Sequence, residues 1–391
     1  MISSIFANQH TCLGRPSHRN SGTLRHKSCN RLHISPQHTR PSRNHSFTMA
    51  PTNTAAYYSS DKAPSLEIAN SPYPTPGPDE IIIKVAAAAI NPVDSKIQSA
   101  GTALFPFLTY PMAAGIDVSG TVVEVGSSAT SKFHVGDRVL GFLCEFTSRS
   151  GGFQSYVAAS TSVVTKLPKE TSLIEAATLP SGVATAAEAL YACLGLDHPS
   201  VPPRPRNGKT VLVGGGASVI GSSAIQFAVA SGYEVITTSS PANFEHCLSL
   251  GAALVFDYRA PDLANKLVSA FSERECAGAL SCVAESNPVV FEVVSKSKGN
   301  KVVACSLLFS KDGVPAGVKA DMFHAYNVKD TPLAEVVFGA FLPAALESGQ
   351  YKCAPKARVV GHGLESVQKG FDILARGVSC EKLVVTLGEQ E

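Results

Sequence analysis

The sequence predicts an α/β protein in which a partly open β-barrel accompanies a doubly wound parallel sheet. One observation is that strand-like and helix-like segments alternate after residue 208, with strands expected near 210–214, 234–239, 253–258, 279–284 and 301–307. Strands joined by helices are typical of a parallel sheet covered by helices on both faces. A second observation is the run of short strand-like segments with frequent glycines between residues 66 and 157, which favours the barrel.

The remaining elements follow from the same patterns. In the barrel region, a proline-rich loop at 72–78 precedes a strand at 80–85, and further strand-and-turn segments are expected at 113–126, 137–142 and 152–157. An Ala- and Leu-rich helix is expected at 184–194, and another helix leads out of the parallel sheet at 332–349. The tail predicts a strand at 358–361, a helix at 364–375 and a strand at 382–386.

A glycine-rich turn joins the first two strands of the predicted parallel sheet. The β-branched run 210–213 leads into three glycines at 214–216, and a helix is expected from 221 to 231. Glycine lets the backbone approach a pyrophosphate, whose charge is met by free N–H groups at the helix N-terminus. Val219 stands where the third glycine of G-x-G-x-x-G would fall, and Gly221 supplies the close helix–strand contact. We therefore predict dinucleotide binding; a glycine-rich turn of another α/β protein is the alternative.

Nucleotide choice is predicted from the end of the second strand. Folds that prefer NAD place an Asp or Glu there to hold the ribose 2′-hydroxyl. Residues 237–241 read Thr-Thr-Ser-Ser-Pro instead, without a carboxylate to repel a 2′-phosphate. NADPH is therefore expected, with Asn243 and Tyr258 as candidate partners, although no Arg or Lys lies nearby in the sequence. The alternative is that the serines only form the turn before the next helix.

Residues 1–48 differ in composition from the rest of the chain. They contain six Arg, one Lys, six His, eight Ser and no acidic residue. This composition fits a mitochondrial transit peptide; the alternative is a gene-model extension, with translation starting at Met49. Disorder is expected in either case. Seven of the 33 Lys and Arg lie here, so residues 49–391 carry 26 basic and 31 acidic side chains, which gives no indication of nucleic-acid binding.

The composition of the whole chain excludes several other classes. Its 391 residues are 44% hydrophobic and 16% charged, which suits a folded protein of about two domains. No run approaches 18 uninterrupted apolar residues, so no membrane span is expected. The ten cysteines form no C-x-x-C pair, which favours reduced thiols in an intracellular protein. We expect a cytoplasmic protein, or a mitochondrial one if the leader is real.

Several ordered motifs resemble the medium-chain dehydrogenase/reductase superfamily over roughly residues 55–391. They are AINPVD at 89–94, AGIDVSG at 114–120, VGDRV at 135–139, GFQSY at 152–156 and AATLP at 176–180, followed in order by the glycine turn and by 377–386. Segments 240–244 and 256–261 further resemble the zinc-free fungal branch that includes trans-acting enoyl reductases. Quinone oxidoreductases share the same architecture.

The resemblance implies a GroES-like barrel domain, residues 49–180 and 330–391, interrupted by an NADP(H)-binding Rossmann domain, residues 181–329. The active site would lie in the cleft between them. The implied cofactor-binding residues are Val93, Gly215, Gly216, Ala217, Ser218, Val219, Ile220, Gly221, Ser239, Ser240, Asn243, Tyr258, Leu307 and Lys382. Of these, residues 217–220 would hold the pyrophosphate, Ser240 and Asn243 the 2′-phosphate and Tyr258 the adenosine end, and Lys382 would close the site.

The same resemblance implies that no catalytic zinc is present. Zinc-dependent members need a Cys in the segment occupied here by Asn91–Asp94, and a Gly-His-Glu where this chain has Gly115, Ile116 and Asp117. Ile116 cannot ligate a metal, and only Cys144 lies where a structural zinc site would need four closely spaced Cys.

Without a metal, reduction of an activated C=C bond is the expected reaction, on an enoyl thioester or a free enone. Hydride from NADPH reaches the β-carbon, and hydrogen-bond donors stabilise the enolate. Candidate catalytic groups are Lys96, Asn91, Asp94 and Thr185, with Ser181 nearby. Lys96 is the choice for contacting cofactor or substrate carbonyl, against the alternative of a solvated lysine; Asn91 could instead cap a turn before Pro92.

Two alternatives to enoyl reduction stay open. Quinone reduction would use the same cofactor geometry, and a catalytically idle NADPH-binding protein would use the cleft to dock another protein. The expected partners are a small-molecule or carrier-bound unsaturated substrate and a partner synthase, without nucleic acid or membrane. The superfamily resemblance leaves a monomer or a homodimer open.

Overall fold

Short antiparallel strands occupy the first part of the chain described by the computed structural model, which covers residues 51–388. They are β1 (Asn53–Tyr58), β2 (Glu67–Ser71), β3 (Glu80–Ala89), β4 (Met112–Ala113), β5 (Asp117–Val125), β6 (Arg138–Phe142), β7 (Tyr156–Ser160) and β8 (Val164–Lys166). Strand β1 pairs with β2 and β4, while β3 pairs with β5 and β7. Two register shifts between β3 and β5 mark irregularities of the kind that bend strands. The predicted leader at 1–48 lies outside the described residues.

A parallel sheet forms the second part. Its strands are β9 (Lys209–Gly214), β10 (Glu234–Ser239), β11 (Leu254–Asp257), β12 (Glu275–Ser281), β13 (Lys298–Gly299), β14 (Val302–Cys305) and β15 (Lys319–Met322). The order is β11-β10-β9-β12-β14-β15, and β13 pairs with β12. Strand β9 is buried from Thr210 to Gly214. Because helices cover both faces of such a sheet, its central strands carry continuous apolar runs.

The C-terminal segment returns to the antiparallel sheet. Strands β16 (Lys356–His362) and β17 (Glu381–Thr386) pair parallel with each other, and β17 pairs antiparallel with β3. The sheet order β16-β17-β3-β5-β6-β8 therefore places the C-terminal segment beside strands from the first part of the chain. The predicted domain boundaries at residues 180 and 330 stay predictions.

The helices connect the strands and cover the parallel sheet. They are α1 (Pro92–Ala100), α2 (Leu173–Ala176), α3 (Pro180–Ala187), α4 (Val219–Ala230), α5 (Phe244–Ser249), α6 (Leu263–Ala270), α7 (Asn287–Lys296), α8 (Pro332–Ala334), α9 (Leu342–Glu347) and α10 (Ser366–Ala375). Wider π-helical segments continue α3 over Glu188–Cys193 and join α8 to α9 over Glu335–Phe341. No helix in residues 51–388 is both long and apolar enough to span a membrane.

Helices α3 and α4 pack closely because a glycine stands at their contact. A Cβ atom on Gly182 would lie 2.6 Å from Val219 Cγ1 and 2.8 Å from the Val219 carbonyl oxygen. The start of α3 is therefore fixed against the first turn of α4. This contact joins the start of α3 to the start of α4, the helix that follows the glycine turn.

The structure confirms the predicted fold class and most of the predicted strands. The helix predicted at 184–194 begins earlier, at Pro180, and the region 332–349 is helical in three segments. The sequence patterns missed β13 and β15 in the parallel sheet and gave no bounds for β1, β2 and β8 in the antiparallel part. Strand β15 is an edge strand with exposed and half-exposed residues, so it lacks the apolar run by which its buried neighbours were found.

Candidate functional site

A cavity of about 760 Å³ lies between the antiparallel sheet region and the carboxyl ends of the parallel strands. The parallel-sheet side contributes Gly215, Ala217, Ser218, Val219, Ile220, Ser239, Ser240, Asn243, Tyr258 and Leu307. The other side contributes Ile90, Pro92 and Lys96 at the end of β3 and in α1, and residues 378–383 at the start of β17. Ligands of open α/β sheets bind at this edge, so the cavity is the candidate site.

The glycine turn, residues 214–221, leaves no room for side chains beneath it. Gly215 has φ +93°, and a Cβ atom on Gly216 would lie 2.2 Å from Thr237 Oγ1. A Cβ atom on Gly221 would lie 2.2 Å from the Gly215 carbonyl oxygen. The turn therefore requires glycine at these three positions.

Helix α4 begins at this turn and directs N–H groups at the cavity wall. Ser218 caps the helix, because its hydroxyl accepts the Gly221 N–H at 3.0 Å. The N–H groups of Val219 and Ile220 have no acceptor within the described part of the chain. Free N–H groups at the start of a 12-residue helix bind anionic phosphates. The turn thus fits the pyrophosphate of a dinucleotide cofactor.

Of the predicted cofactor residues, eleven line the cavity: Gly215, Ala217, Ser218, Val219, Ile220, Ser239, Ser240, Asn243, Tyr258, Leu307 and Lys382. Gly216 and Gly221 form the underside of the turn and are not part of the lining. Val93 is also not part of the lining, because it packs against the core of the antiparallel region.

A side recess opens from the cavity beyond the end of β10. Ser240, Tyr258 and Arg259 line it together with Pro241 and Ala242. The Arg259 guanidinium lies over the Tyr258 ring, with 4.8 Å between its central carbon and the ring centroid. Arg259 was not among the predicted partners of the 2′-phosphate, because it lies far from Ser240 in the sequence. The parallel pairing of β10 with β11 brings the ends of these two strands side by side.

Four buried polar side chains meet behind the wall of the cavity, and we call them the junction cluster; of the four, Lys382 lines the cavity itself. Asn91 is the N-cap of α1, Asp117 begins β5, Ser181 is the second residue of α3 and Lys382 lies in β17. The Lys382 ammonium lies 3.0 Å from Asp117 Oδ2, and these side chains are 4% and 0% exposed. Lys382 also donates to Asn91 Oδ1, and its Nζ is 3.4 Å from Ser181 Oγ. The ammonium thus faces three oxygens from three different elements.

Asp117 is held from several sides within the junction cluster. Its Oδ1 accepts the Ser181 N–H at 2.7 Å, and its Oδ2 accepts the Ser181 hydroxyl at 2.6 Å. The Asn91 side-chain amide also donates to Oδ2, at 3.0 Å. Sequence reasoning noted Asp117 only as part of a motif and did not place it in the site. Its pairing with Lys382 depends on a contact between distant parts of the chain.

Asp94 lies beneath the cavity wall and not at its surface. Its side chain accepts the Asn91 N–H at 2.8 Å and so holds the first turn of α1. Complete burial, together with the neighbouring Asp117 carboxylate, raises the pKa of Asp94 to about 7. Desolvation penalises the charged form of a carboxyl group.

The other two candidate catalytic residues differ in access. Lys96 is exposed on α1 and lines the cavity, and no ion pair engages its ammonium within residues 51–388. Thr185 lies one turn into α3, where its hydroxyl donates to the Ser181 carbonyl oxygen at 2.6 Å. Thr185 is not part of the cavity lining.

Comparisons with known proteins identify the family to which the chain belongs. Residues 77–169 match the alcohol dehydrogenase GroES-like domain family. The chain is 40% identical to dehydrogenase pigH of Monascus ruber, over 86% of this chain and 100% of that protein. The chain therefore belongs to the medium-chain dehydrogenase/reductase superfamily and is an oxidoreductase. The cofactor of this superfamily is a nicotinamide dinucleotide.

Two other relatives are fungal proteins named as enoyl reductases. It is 38% identical to trans-enoyl reductase himH of Aspergillus japonicus, over 87% of this chain and 98% of that protein. It is also 33% identical to lovC of Aspergillus terreus, the enoyl reductase component of lovastatin nonaketide synthase, over 81% of this chain and 92% of that protein. The predicted resemblance to this branch is confirmed.

Solved structures share the fold. The CurK enoyl reductase superposes with a TM-score of 0.70 at 23% identity, over 86% of this chain and 99% of that chain. The quinone oxidoreductase of Coxiella burnetii gives 0.65 at 23% identity, over 86% and 100%. A mycobacterial protein complexed with NADPH also gives 0.65 at 23% identity, over 85% and 99%.

The donor set at the junction cluster does not fit the zinc ion that some members of the superfamily hold. Ile116 packs against a hydrophobic core, and the acceptor groups of the junction cluster are amide, carboxylate and hydroxyl oxygens. Zinc sites use mainly thiolate and imidazole ligands. Within residues 51–388, no group of three or more His, Cys, Asp or Glu is arranged to hold a metal.

Proposed function

We propose that this protein is a zinc-independent, NADPH-dependent reductase of activated carbon–carbon double bonds. The observation that carries the proposal is the composition of the cavity, which joins the glycine turn on one side to the exposed Lys96 on the other. An anion-binding helix end and a free ammonium are what a dinucleotide and a conjugated carbonyl require. The similarity to proteins named trans-enoyl reductase supports the same reaction.

The recess beyond β10 supports NADPH over NADH. Ser240 and Arg259 line a space without an acidic side chain, where a ribose 2′-phosphate would accept hydrogen bonds from a hydroxyl and a guanidinium. Because Arg259 lies over the Tyr258 ring, its guanidinium is held at the edge of the recess. Asn243, whose side-chain amide donates to Ser379 Oγ at 3.0 Å, ties this end of the cavity to the segment before β17.

The chain's own contribution to the chemistry would come from Lys96. When bound, NADPH supplies the hydride that the β-carbon of the double bond accepts. The Lys96 ammonium would donate a hydrogen bond to the substrate carbonyl oxygen, where negative charge develops, and a proton from solvent would then complete the reduction at the α-carbon. The largely apolar cavity wall would exclude water and so strengthen this interaction.

The substrate class we propose is an enoyl thioester on a carrier, supplied by a partner synthase, in the cytoplasm. The name of lovC, the enoyl reductase component of a synthase, supports this choice. A free enone would require the same contacts at its carbonyl group. It differs from the enoyl thioester only in the part of the molecule beyond that carbonyl.

Consumption of NADPH by the full chain tests the proposal. A crotonyl thioester should be reduced with NADPH, and NADH should serve poorly. Turnover of an ortho-quinone alone would identify a quinone oxidoreductase, and intact NADPH binding without turnover of either acceptor would favour a catalytically idle binding protein. The Lys96→Ala variant should lose turnover by about 10²-fold or more with little change in NADPH affinity.

A further inference from the structure

We propose that the Lys382 ammonium is a fixed internal cation that positions the start of α3. Asn91 and Asp117, at the starts of α1 and β5, both direct a side-chain oxygen at Lys382 Nζ.

The arrangement around Lys382 has the form of a small coordination site. An ammonium group carries three N–H donors, and here it faces three oxygens: Asn91 Oδ1, Asp117 Oδ2 at 3.0 Å and Ser181 Oγ at 3.4 Å. All four side chains are at most 9% exposed. A buried charge persists only when it is paired and hydrogen-bonded, and Asp117 supplies the opposite charge.

This cation also holds the cofactor side of the cavity in place. Ser181 is the second residue of α3, and its backbone N–H and hydroxyl both bind Asp117. The next residue, Gly182, packs directly against Val219 at the start of α4. The free N–H groups of the glycine turn therefore take their position from Lys382 through two close contacts. Lys382 is a positioning residue for the cofactor, and this part of the inference rests on the proposed NADPH binding.

Chemical rescue of the Lys382→Ala variant tests the proposal in the full chain. n-Propylammonium has the four heavy atoms that the substitution removes. Lys382→Ala should raise the Kd for NADPH at least about tenfold and lower the thermal unfolding midpoint, because Asp117 loses its buried partner. n-Propylammonium should reverse both effects. 1-Propanol, which lacks the charge, and tetramethylammonium, which lacks N–H donors, should reverse neither.

Several results would overturn the proposal. One is wild-type NADPH affinity in Lys382→Ala; another is equal repair by 1-propanol, which would assign Lys382 to packing alone. A folded variant that n-propylammonium does not improve would also contradict it. Lys356→Ala, on the neighbouring strand β16 and exposed, is the matched control and should change neither quantity.

If Lys382→Ala does not fold, the variant Lys382→Met with Asp117→Asn removes both charges and decides the question. Low NADPH affinity in this double variant supports the proposal, because Asn91 and Ser181 have lost their common donor. Wild-type affinity would overturn it, since the ammonium would then only neutralise Asp117. If the wild-type chain does not bind NADPH at all, the proposed function fails, and the amine-dependent unfolding midpoint of Lys382→Ala still tests the cation.

Discussion

The glycine turn lines the cavity and the junction cluster reaches it only through Lys382, and the two regions are held by different forces. The turn is formed by consecutive residues whose backbone atoms touch, so a Cβ atom on Gly221 would lie 2.2 Å from a carbonyl oxygen. The junction cluster is formed by side chains up to 291 positions apart, held by one buried ion pair and its hydrogen bonds. The first region therefore tolerates no added volume, and the second tolerates no unpaired charge.

The Gly221→Ala variant tests the first half of this comparison and should have the largest effect. Its methyl group would meet backbone atoms of the turn, which cannot move aside like a flexible side chain. We expect NADPH affinity to fall by about 10² or more, because the N–H groups at the start of α4 are displaced. Fluorescence titration with NADPH measures the change. Gly313→Ala, where a Cβ atom meets nothing within 4 Å, should leave the affinity unchanged; equal affinities in the two variants would contradict the steric account.

The Asp117→Ala variant tests the second half. It leaves the Lys382 ammonium buried without its counter-charge, so the free energy of unfolding should fall by about 3–5 kcal/mol. Urea unfolding followed by circular dichroism measures it. The matched control is Asp262→Ala, which breaks an exposed ion pair with Lys266 and should leave the free energy of unfolding nearly unchanged. Similar losses in both variants would mean that burial does not distinguish the two pairs.

Asp94 adds a pH dependence to the same region. Burial raises its pKa to about 7, so between pH 4 and 7 the folded chain binds a proton that the unfolded chain releases. This contribution stabilises the fold at low pH and is lost as the pH rises towards 7. As the pH rises from 4 to 7, the free energy of unfolding of Asp94→Asn should therefore increase relative to that of the wild type by on the order of 2–4 kcal/mol. Exposed Asp312→Asn should show no such gain, and a constant difference for Asp94→Asn would refute the shift.

The Arg259→Ala variant examines the far end of the cofactor cavity and should have the smallest effect. Loss of one guanidinium beside the proposed 2′-phosphate should raise the Kd for NADPH about tenfold and leave that for NADH unchanged. Isothermal titration of both nucleotides measures the ratio. Arg206→Ala is the control, because Arg206 lies in the exposed segment before β9, at the amino ends of the parallel strands. An equal loss for both nucleotides would assign Arg259 to the adenosine end in general.

The same contrast explains how much could be predicted from the sequence. The glycine turn and the central parallel strands are contiguous and carry local patterns, so their positions were predicted closely. Asp117 and Ser181 carry no local sign that they meet, because their contact depends on α3 docking beside β5. Arg259 was missed although it follows Tyr258 directly, since only the pairing of β10 with β11 brings it near Ser240. The steric constraints on the glycine turn involve residues close in sequence, whereas the charge pair of the junction cluster involves residues far apart in sequence.

Transfer of deuterium from NADPH deuterated at both C4 positions to a crotonyl thioester tests the central claim most directly. The full chain, treated with a chelator, should give a butyryl thioester that carries one deuterium at its β-carbon, at an unreduced rate. A product without deuterium at that carbon would contradict hydride delivery from the nicotinamide. Activity that disappears with the chelator and returns with zinc would contradict the assignment of a fixed ammonium, in place of a metal, to the junction cluster.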